Sequence, residues 1–178
     1  LPETQELVFQ FFLDRFRSWY KEDGVTNGVF ESVYALKPER PLDFHLRIEA
    51  VNAFAERPES LSLAVANKRV SNLLSKYESD SNLPLCNKDL LRLESEINLH
   101  SQIENKKLEM APFIEALDYT NALLCLSSLK SAVDDFFDNV LVNDEDEKLR
   151  KNRYSLLFEL RELFLMTADI SFLDSNQE

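Results

Sequence analysis

Glycine is the scarcest structural residue here: two in 178 positions, at 24 and 28. A phosphate-cradling loop of the Walker or dinucleotide-binding kind needs several glycines at fixed spacing, so neither can be written into this chain. Six prolines beside so few glycines also leave too few turn formers for a sheet protein of this size, which points to helices joined by short connections. The only two cysteines, Cys86 and Cys125, lack paired spacing and read as reduced thiols of a cytoplasmic protein rather than a disulfide framework. No run of about eighteen apolar residues exists, and no basic stretch followed by an apolar one opens the chain, so no membrane partner and no secretory signal are expected. The chain starts at Leu1 without methionine, as expected of a piece cut from a larger protein.

Chemistry is missing as well. His45 and His100 are the only histidines, and neither has cysteine or paired carboxylates at ligand spacing, so no metal site is expected. Serines and threonines lack a histidine in a recognisable partner arrangement, and neighbouring acids such as Asp134 and Asp135 read as solvated faces or caps. The expectation is a chain with no catalytic residue and no cofactor of its own. Lysine and arginine number 20 against 32 acidic residues, and the net charge of −12 weighs against a generic polyanion binder and against DNA.

What is present is a core. Hydrophobic residues make up 44% of the chain, with thirteen phenylalanines, which is globular usage. Leu7, Val8, Phe11, Phe12, Phe16 and Trp19 recur at three- and four-residue steps, predicting a helix from Gln5 to Asp23 closed by Gly24. A second helix follows Thr26 and stops before Pro38; Pro41 and Pro58 fit the first turns of helices over 41–56 and 58–78. A long helix is expected from Lys88 to about Leu117, bent by Pro112, then one from Thr120 to Phe137. The acidic turn from Asn143 to Glu147 opens the last helix, whose apolar positions are Leu149, Leu156, Leu157, Leu160, Leu163 and Phe164. The fold class is all-α, a single helical domain over 1–178 with a candidate subdomain boundary at 79–87, where Ser, Asp, Asn and Pro84 cluster.

The remaining signal is for binding. In Asn67-Lys68-Arg69-Val70-Ser71-Asn72-Leu73-Leu74-Ser75-Lys76, helical geometry puts Lys68, Asn72 and Lys76 on one face with Arg69 beside them, a surface suited to phosphates; an ordinary solvated face is the alternative. Arg150, Lys151, Asn152 and Arg153 form a second basic knot, which either meets a ligand or pairs with Glu147 or Asp138. Arg15 and Arg17 flank Phe16, with Trp19 and Tyr20 beyond, a combination that stacks an unpaired base or builds a core.

The run Ala132-Val133-Asp134-Asp135-Phe136-Phe137-Asp138-Asn139-Val140-Leu141-Val142, followed by Leu149-Arg150-Lys151-Asn152-Arg153-Tyr154-Ser155-Leu156-Leu157, closely resembles the C-terminal region of bacterial glycyl-tRNA synthetase β subunits. The likeness continues through Leu160-Arg161-Glu162-Leu163-Phe164-Leu165 and Ala168-Asp169-Ile170-Ser171, and upstream through Phe12-Leu13-Asp14-Arg15-Phe16-Arg17, Arg40-Pro41-Leu42-Asp43 and Ala64–Leu74. The segment 79–107 matches weakly. Two departures are notable: Leu141-Val142-Asn143 stands where the family pattern has Met-Val-Met, and Tyr154 where it has Leu.

The resemblance implies a helical bundle of the DALR anticodon-binding type, shared with arginyl-tRNA synthetases, that grips the anticodon end of tRNA-Gly. It also implies that ATP-dependent glycine activation resides on a separate α subunit of an α2β2 ligase, leaving this segment non-catalytic and without a cofactor. The expected partners are then tRNA-Gly, the α subunit and the rest of the β subunit. The expected tRNA-facing residues are Lys68, Arg69, Asn72, Lys76, Arg150, Asn152, Arg153 and Arg15. A helical protein-interaction scaffold, or the equivalent domain of another DALR-type synthetase such as an arginyl-tRNA synthetase, is the alternative.

Overall fold

Gly24 adopts φ +84°, and a Cβ there would meet no atom within 4 Å, so backbone conformation alone calls for glycine. It ends the first helix, α1, seen over residues 15–22, with the Val25 N–H donating back to Tyr20 O at 2.9 Å. The computed structural model describes residues 11, 13, 15–77 and 83–175, the last two by backbone alone. The expected start of α1 at Gln5 and residues 79–82 of the expected boundary lie outside the described residues.

Seven further helices follow: α2 (Asn27–Tyr34), α3 (Pro41–Ala55), α4 (Ser60–Lys76), α5 (Glu94–Glu115), α6 (Tyr119–Ser127), α7 (Lys130–Asn139) and α8 (Glu147–Leu165). Short 3-10 turns occupy Lys88–Leu90 and Ile170–Ser175, and no strand occurs among the described residues. The fold is all-α. Thr26 caps α2 by accepting from Val29 N, Asp118 caps α6, and Asp146 caps α8 through the amides of Lys148 and Leu149.

Three boundaries differ from expectation. Pro41 does open α3, but Pro58 sits in the turn before α4 rather than inside its first turn. The segment after Lys88 is a 3-10 turn and an extended link, and α5 begins only at Glu94; Pro112 lies in its final turn. The helix expected from Thr120 to Phe137 is broken. Ser127 and Ser128 turn their hydroxyls back onto Leu123 O and Cys125 O, loosening the chain so that Leu129 drops fully into the core.

The periodic apolar residues form one cluster that includes Phe44, Ile48 and Phe54 of α3, Leu63 and Val70 of α4, Leu99, Ile103 and Met110 of α5, Phe136 of α7 and Leu156, Leu157, Leu160, Leu163 and Phe164 of α8. Burying each such side chain stabilises the fold by about 1.5–3 kcal/mol relative to exposure. Polar ties join distant parts of the chain. Arg47 on α3 lies 4.1 Å over the Tyr119 ring and donates to the carbonyls of Met166 and Thr167 at the end of α8. Asp169 N donates to Ser32 O on α2 at 2.8 Å, while its carboxylate receives Arg161 through two nitrogens. Helix α4 packs between the C-terminal turn and helices α7 and α8.

Candidate nucleic-acid interface

Helix α4 turns Leu63, Ala64, Asn67 and Val70 inward, with Asn67 Nδ2 bonded to Leu63 O, and this fixes what faces outward. Arg69, Asn72 and Lys76 are exposed in a row at three- and four-residue steps, and Lys68 beside them is half-buried. The guanidinium of Arg69 lies 4.1 Å over the ring of Phe137 on α7. Ring and cation hold each other, so Arg69 is presented as an oriented fork rather than a waving side chain. Leu61 and Val65 continue the same row toward the start of α4, 51% and 48% exposed.

On α1 the two arginines separate. Arg17 is drawn inward: it pairs with Glu31, bonds Asn27 and lies over the rings of Phe30 and Tyr34. Phe16 and Tyr20 pack into the core against Phe44, and Tyr20 OH meets His45 Nδ1 at 2.8 Å. Arg15 faces out between Phe11 and Trp19, which are 59% and 49% exposed. The aromatic reading of this helix is therefore divided between a core side and an outward side.

The α8 knot does not offer what sequence suggested. Asn152 and Arg153 are only 6% and 5% exposed. Asn152 bonds the backbone of Asn87 in both directions, accepting its N–H at 2.7 Å and donating to its carbonyl at 3.1 Å. Arg153 spans Glu96 of α5, Asp144 and the carbonyl of Leu141. Arg150 is half-buried and donates to Asp144 O. Both Asn152 and Arg153 are thus internal fasteners, almost closed to solvent. The partners are Glu96 and Asp144, not the Glu147 or Asp138 that sequence spacing put forward. A charge deep in a helix bundle needs an opposite charge, but the one that arrives from 57 positions away leaves no trace in local spacing.

Burial works against the charge of Glu96, yet the amides of Leu93 and Arg92 and the guanidinium of Arg153 outweigh it and hold the carboxyl below its ordinary range. Cys86 and Cys125 are free, and burial pushes their thiols up to about 12 and about 11, so neither is a poised nucleophile.

One group that sequence reading passed over is His100, Glu104 and Glu159, whose ligand atoms lie within 4.8 Å of one another. Here the ammonium of Lys107 bridges Glu104 at 2.8 Å and Glu159 at 3.1 Å, and Glu159 also accepts the Cys86 amide. A fixed cation already answers both carboxylates. Sequence also passed over Ser95 and Asn98 at the start of α5, which face Asp135 and Asn139 of α7 across an open cleft.

Comparison with known proteins agrees with this architecture. The family model described as the DALR anticodon binding domain matches residues 63–169, which takes in the outward row of α4 and the whole of α8. The glycine–tRNA ligase β subunit of Marinobacter nauticus is 45% identical over 96% of this chain. That of Pseudomonas aeruginosa is 48% identical over 94%, and that of Hahella chejuensis 44% identical over 94%. The chain spans 24% of the length of each of these relatives. With more than half of its residues under the family model and helices alone among those described, the chain belongs to the DALR anticodon binding domain family.

Proposed function

We propose that this chain is the tRNA-gripping module of a glycine–tRNA ligase β subunit, holding the anticodon end of tRNA-Gly while aminoacylation takes place elsewhere in the enzyme. The observation that carries the reading is the outward row Arg69, Asn72 and Lys76 on α4, with Arg69 seated on Phe137, inside the segment that the family model covers. Phosphates are met by the cations, and Asn72 and the guanidinium edge are suited to unpaired bases. Arg15, framed by exposed Phe11 and Trp19, adds a second cationic and aromatic surface.

In this reading the enzyme is a cytoplasmic ATP-dependent ligase, and ATP and glycine are handled by an α subunit in an α2β2 assembly. This domain contributes no catalytic residue and holds no cofactor. The net charge of −12 is compatible with it, because the rest of the β subunit is available to make further phosphate contacts.

Binding of a glycine anticodon stem-loop at low salt, followed by fluorescence anisotropy, tests the proposal. The Arg69→Glu, Lys76→Glu double variant should lose at least about tenfold in affinity and flatten the salt dependence by about 1 per cation removed. Equal binding by wild type and double variant would remove the α4 row as the contact surface.

A second reading, a protein-docking scaffold for the remainder of the β subunit, draws on the exposed Leu42, Leu61 and Val65. It predicts a partner whose affinity changes little with salt. Steep salt dependence for tRNA without capture of a protein partner decides against it.

A further inference from the structure

His100 and Glu104 stand four residues apart on α5, so their side chains leave one face of the helix, and that face meets Glu159 of the neighbouring α8. Each of the three offers one donor atom to the same small space. His100 and Glu159 are 6% and 7% exposed, whereas the Glu104 side chain is 46% exposed and keeps the group open to solvent on one side.

Lys107 answers only part of this group. Its ammonium lies 2.8 Å from Glu104 Oε1 and 3.1 Å from Glu159 Oε2, so the two carboxylates already converge on one cation. The imidazole takes no part. Among the described residues no hydrogen bond or ion pair reaches His100, and its ring nitrogens still touch solvent, since Ser95 Oγ alone is both sealed and unbonded. A nearly buried imidazole, unpartnered and set within 4.8 Å of two carboxylates, is an arrangement that a ligand would explain. An ammonium is served by the two oxygens alone, whereas a divalent transition ion takes oxygen and imidazole nitrogen together.

The donor set selects the ion. Magnesium and calcium favour oxygen alone, while one nitrogen with two carboxylates suits zinc and the ions beside it in the divalent series. Two carboxylates and a neutral imidazole also balance a double positive charge. Zinc at about 2.0–2.2 Å from each donor sets tetrahedral donors about 3.4 Å apart, so the group must close by up to about 1.4 Å from its 4.8 Å limit. Glu104 is exposed enough to turn by that much, and the Lys107 side chain, 37% exposed, has a flexible stem on which the ammonium can swing into water. Water completes the fourth position.

We propose that His100, Glu104 and Glu159 form a binding site for a divalent transition-metal ion, zinc being the best match, at which the ion replaces the Lys107 ammonium and ties α5 to α8. The ion is structural and takes no part in aminoacylation, and the inference stands apart from the RNA-binding reading. Because Glu159 Oε1 also accepts the Cys86 amide, the ion braces the segment that leads into α5 as well.

The test is a calorimetric titration of Zn²⁺ alone into the metal-free 178-residue chain, in slightly alkaline buffer where an imidazole is a neutral ligand. Competition with a chromophoric chelator fixes the affinity. Wild type should take up one ion. His100→Ala should weaken binding at least about tenfold, since even the outer partners of metal ligands contribute about 10–100-fold. Lys107→Met removes the competing cation, keeps all three donors and should tighten binding at least about tenfold. Misfolding cannot produce that gain, so this variant decides the matter even if circular dichroism shows His100→Ala to be unfolded. His45→Ala, at the other histidine and its Glu49 neighbour, and Cys86→Ser should both leave the affinity unchanged. The proposal is overturned if wild type takes up no zinc, even where Lys107→Met binds it, because the lysine would then hold the place for good. It is overturned equally if Lys107→Met binds no more tightly than wild type, or if His45→Ala or Cys86→Ser abolishes binding while folded His100→Ala keeps it.

Discussion

Tyr154 donates its hydroxyl to Asn143 Oδ1 across 2.9 Å, so two of the positions that the sequence reading set apart are bonded to each other. A methionine at 143 and a leucine at 154 would replace this hydrogen bond by an apolar contact. The Tyr154 ring is buried and stacks on Tyr77 at 4.2 Å between centroids, which ties the hydrogen-bonded pair to the end of α4. Urea unfolding of Asn143→Met, Tyr154→Leu and the double variant should give a coupling energy of about 1 kcal/mol, the size of one neutral hydrogen bond. Simple additivity would mean that the two changes are independent.

Arg153 supports a larger prediction. It and Glu96 are both almost wholly buried, with Arg153 Nε 2.5 Å from Glu96 Oε1 and Asp144 closing the other side. Arg153→Ala leaves Glu96 charged in the interior and should cost about 3–5 kcal/mol. Arg153→Met combined with Glu96→Leu removes both charges and should recover most of that loss. The comparison by chemical denaturation separates a fastener from a ligand contact, because a solvent-facing arginine would cost less than about 1 kcal/mol.

The same network sets an acid limit. Glu96 and Asp144 are both held below their ordinary carboxyl values of 4.5 and 3.8, Glu96 against its burial by amides and Arg153, Asp144 by the Asp146 amide and then Arg153. A folded value below the unfolded one gives stability that is present above the unfolded pKa and lost as pH falls through the folded one. The thermal midpoint should therefore be insensitive to these groups above about pH 5 and should drop as pH falls below 4.5. With Glu96→Gln the neutral-pH midpoint should be lower and the fall below 4.5 shallower.

How much of this was legible in sequence follows from the range of each interaction. The stripe Leu149, Leu156, Leu157, Leu160, Leu163 and Phe164 is a local pattern, and all six side chains are buried. Arg69 and Lys76 were readable as outward for the same reason, since Val70 between them faces in. Asn152 and Arg153 were not, because they pair with Asn87 and Glu96, 65 and 57 positions distant. The break between α6 and α7 was hidden by an uninterrupted apolar pattern, and two serines bonding back onto the helix decide it.

The Arg69 and Phe137 contact yields a prediction in which salt dependence distinguishes charge from orientation. Removing the charge in Arg69→Gln should reduce the slope of log affinity against log salt by about 1, because one fewer counterion is released on binding RNA. Phe137→Leu keeps the charge and most of the half-buried apolar contact but takes away the ring over which Arg69 lies. If that ring serves to orient the guanidinium, affinity should fall about three- to tenfold with an unchanged slope, since a cation–π contact at an exposed site contributes about 0.5–1 kcal/mol and orientation adds to it. Anisotropy titrations of an anticodon hairpin at several salt concentrations read both quantities at once. A Phe137→Leu variant with wild-type affinity would mean that Arg69 acts as a point charge, and a lysine there should then serve equally well.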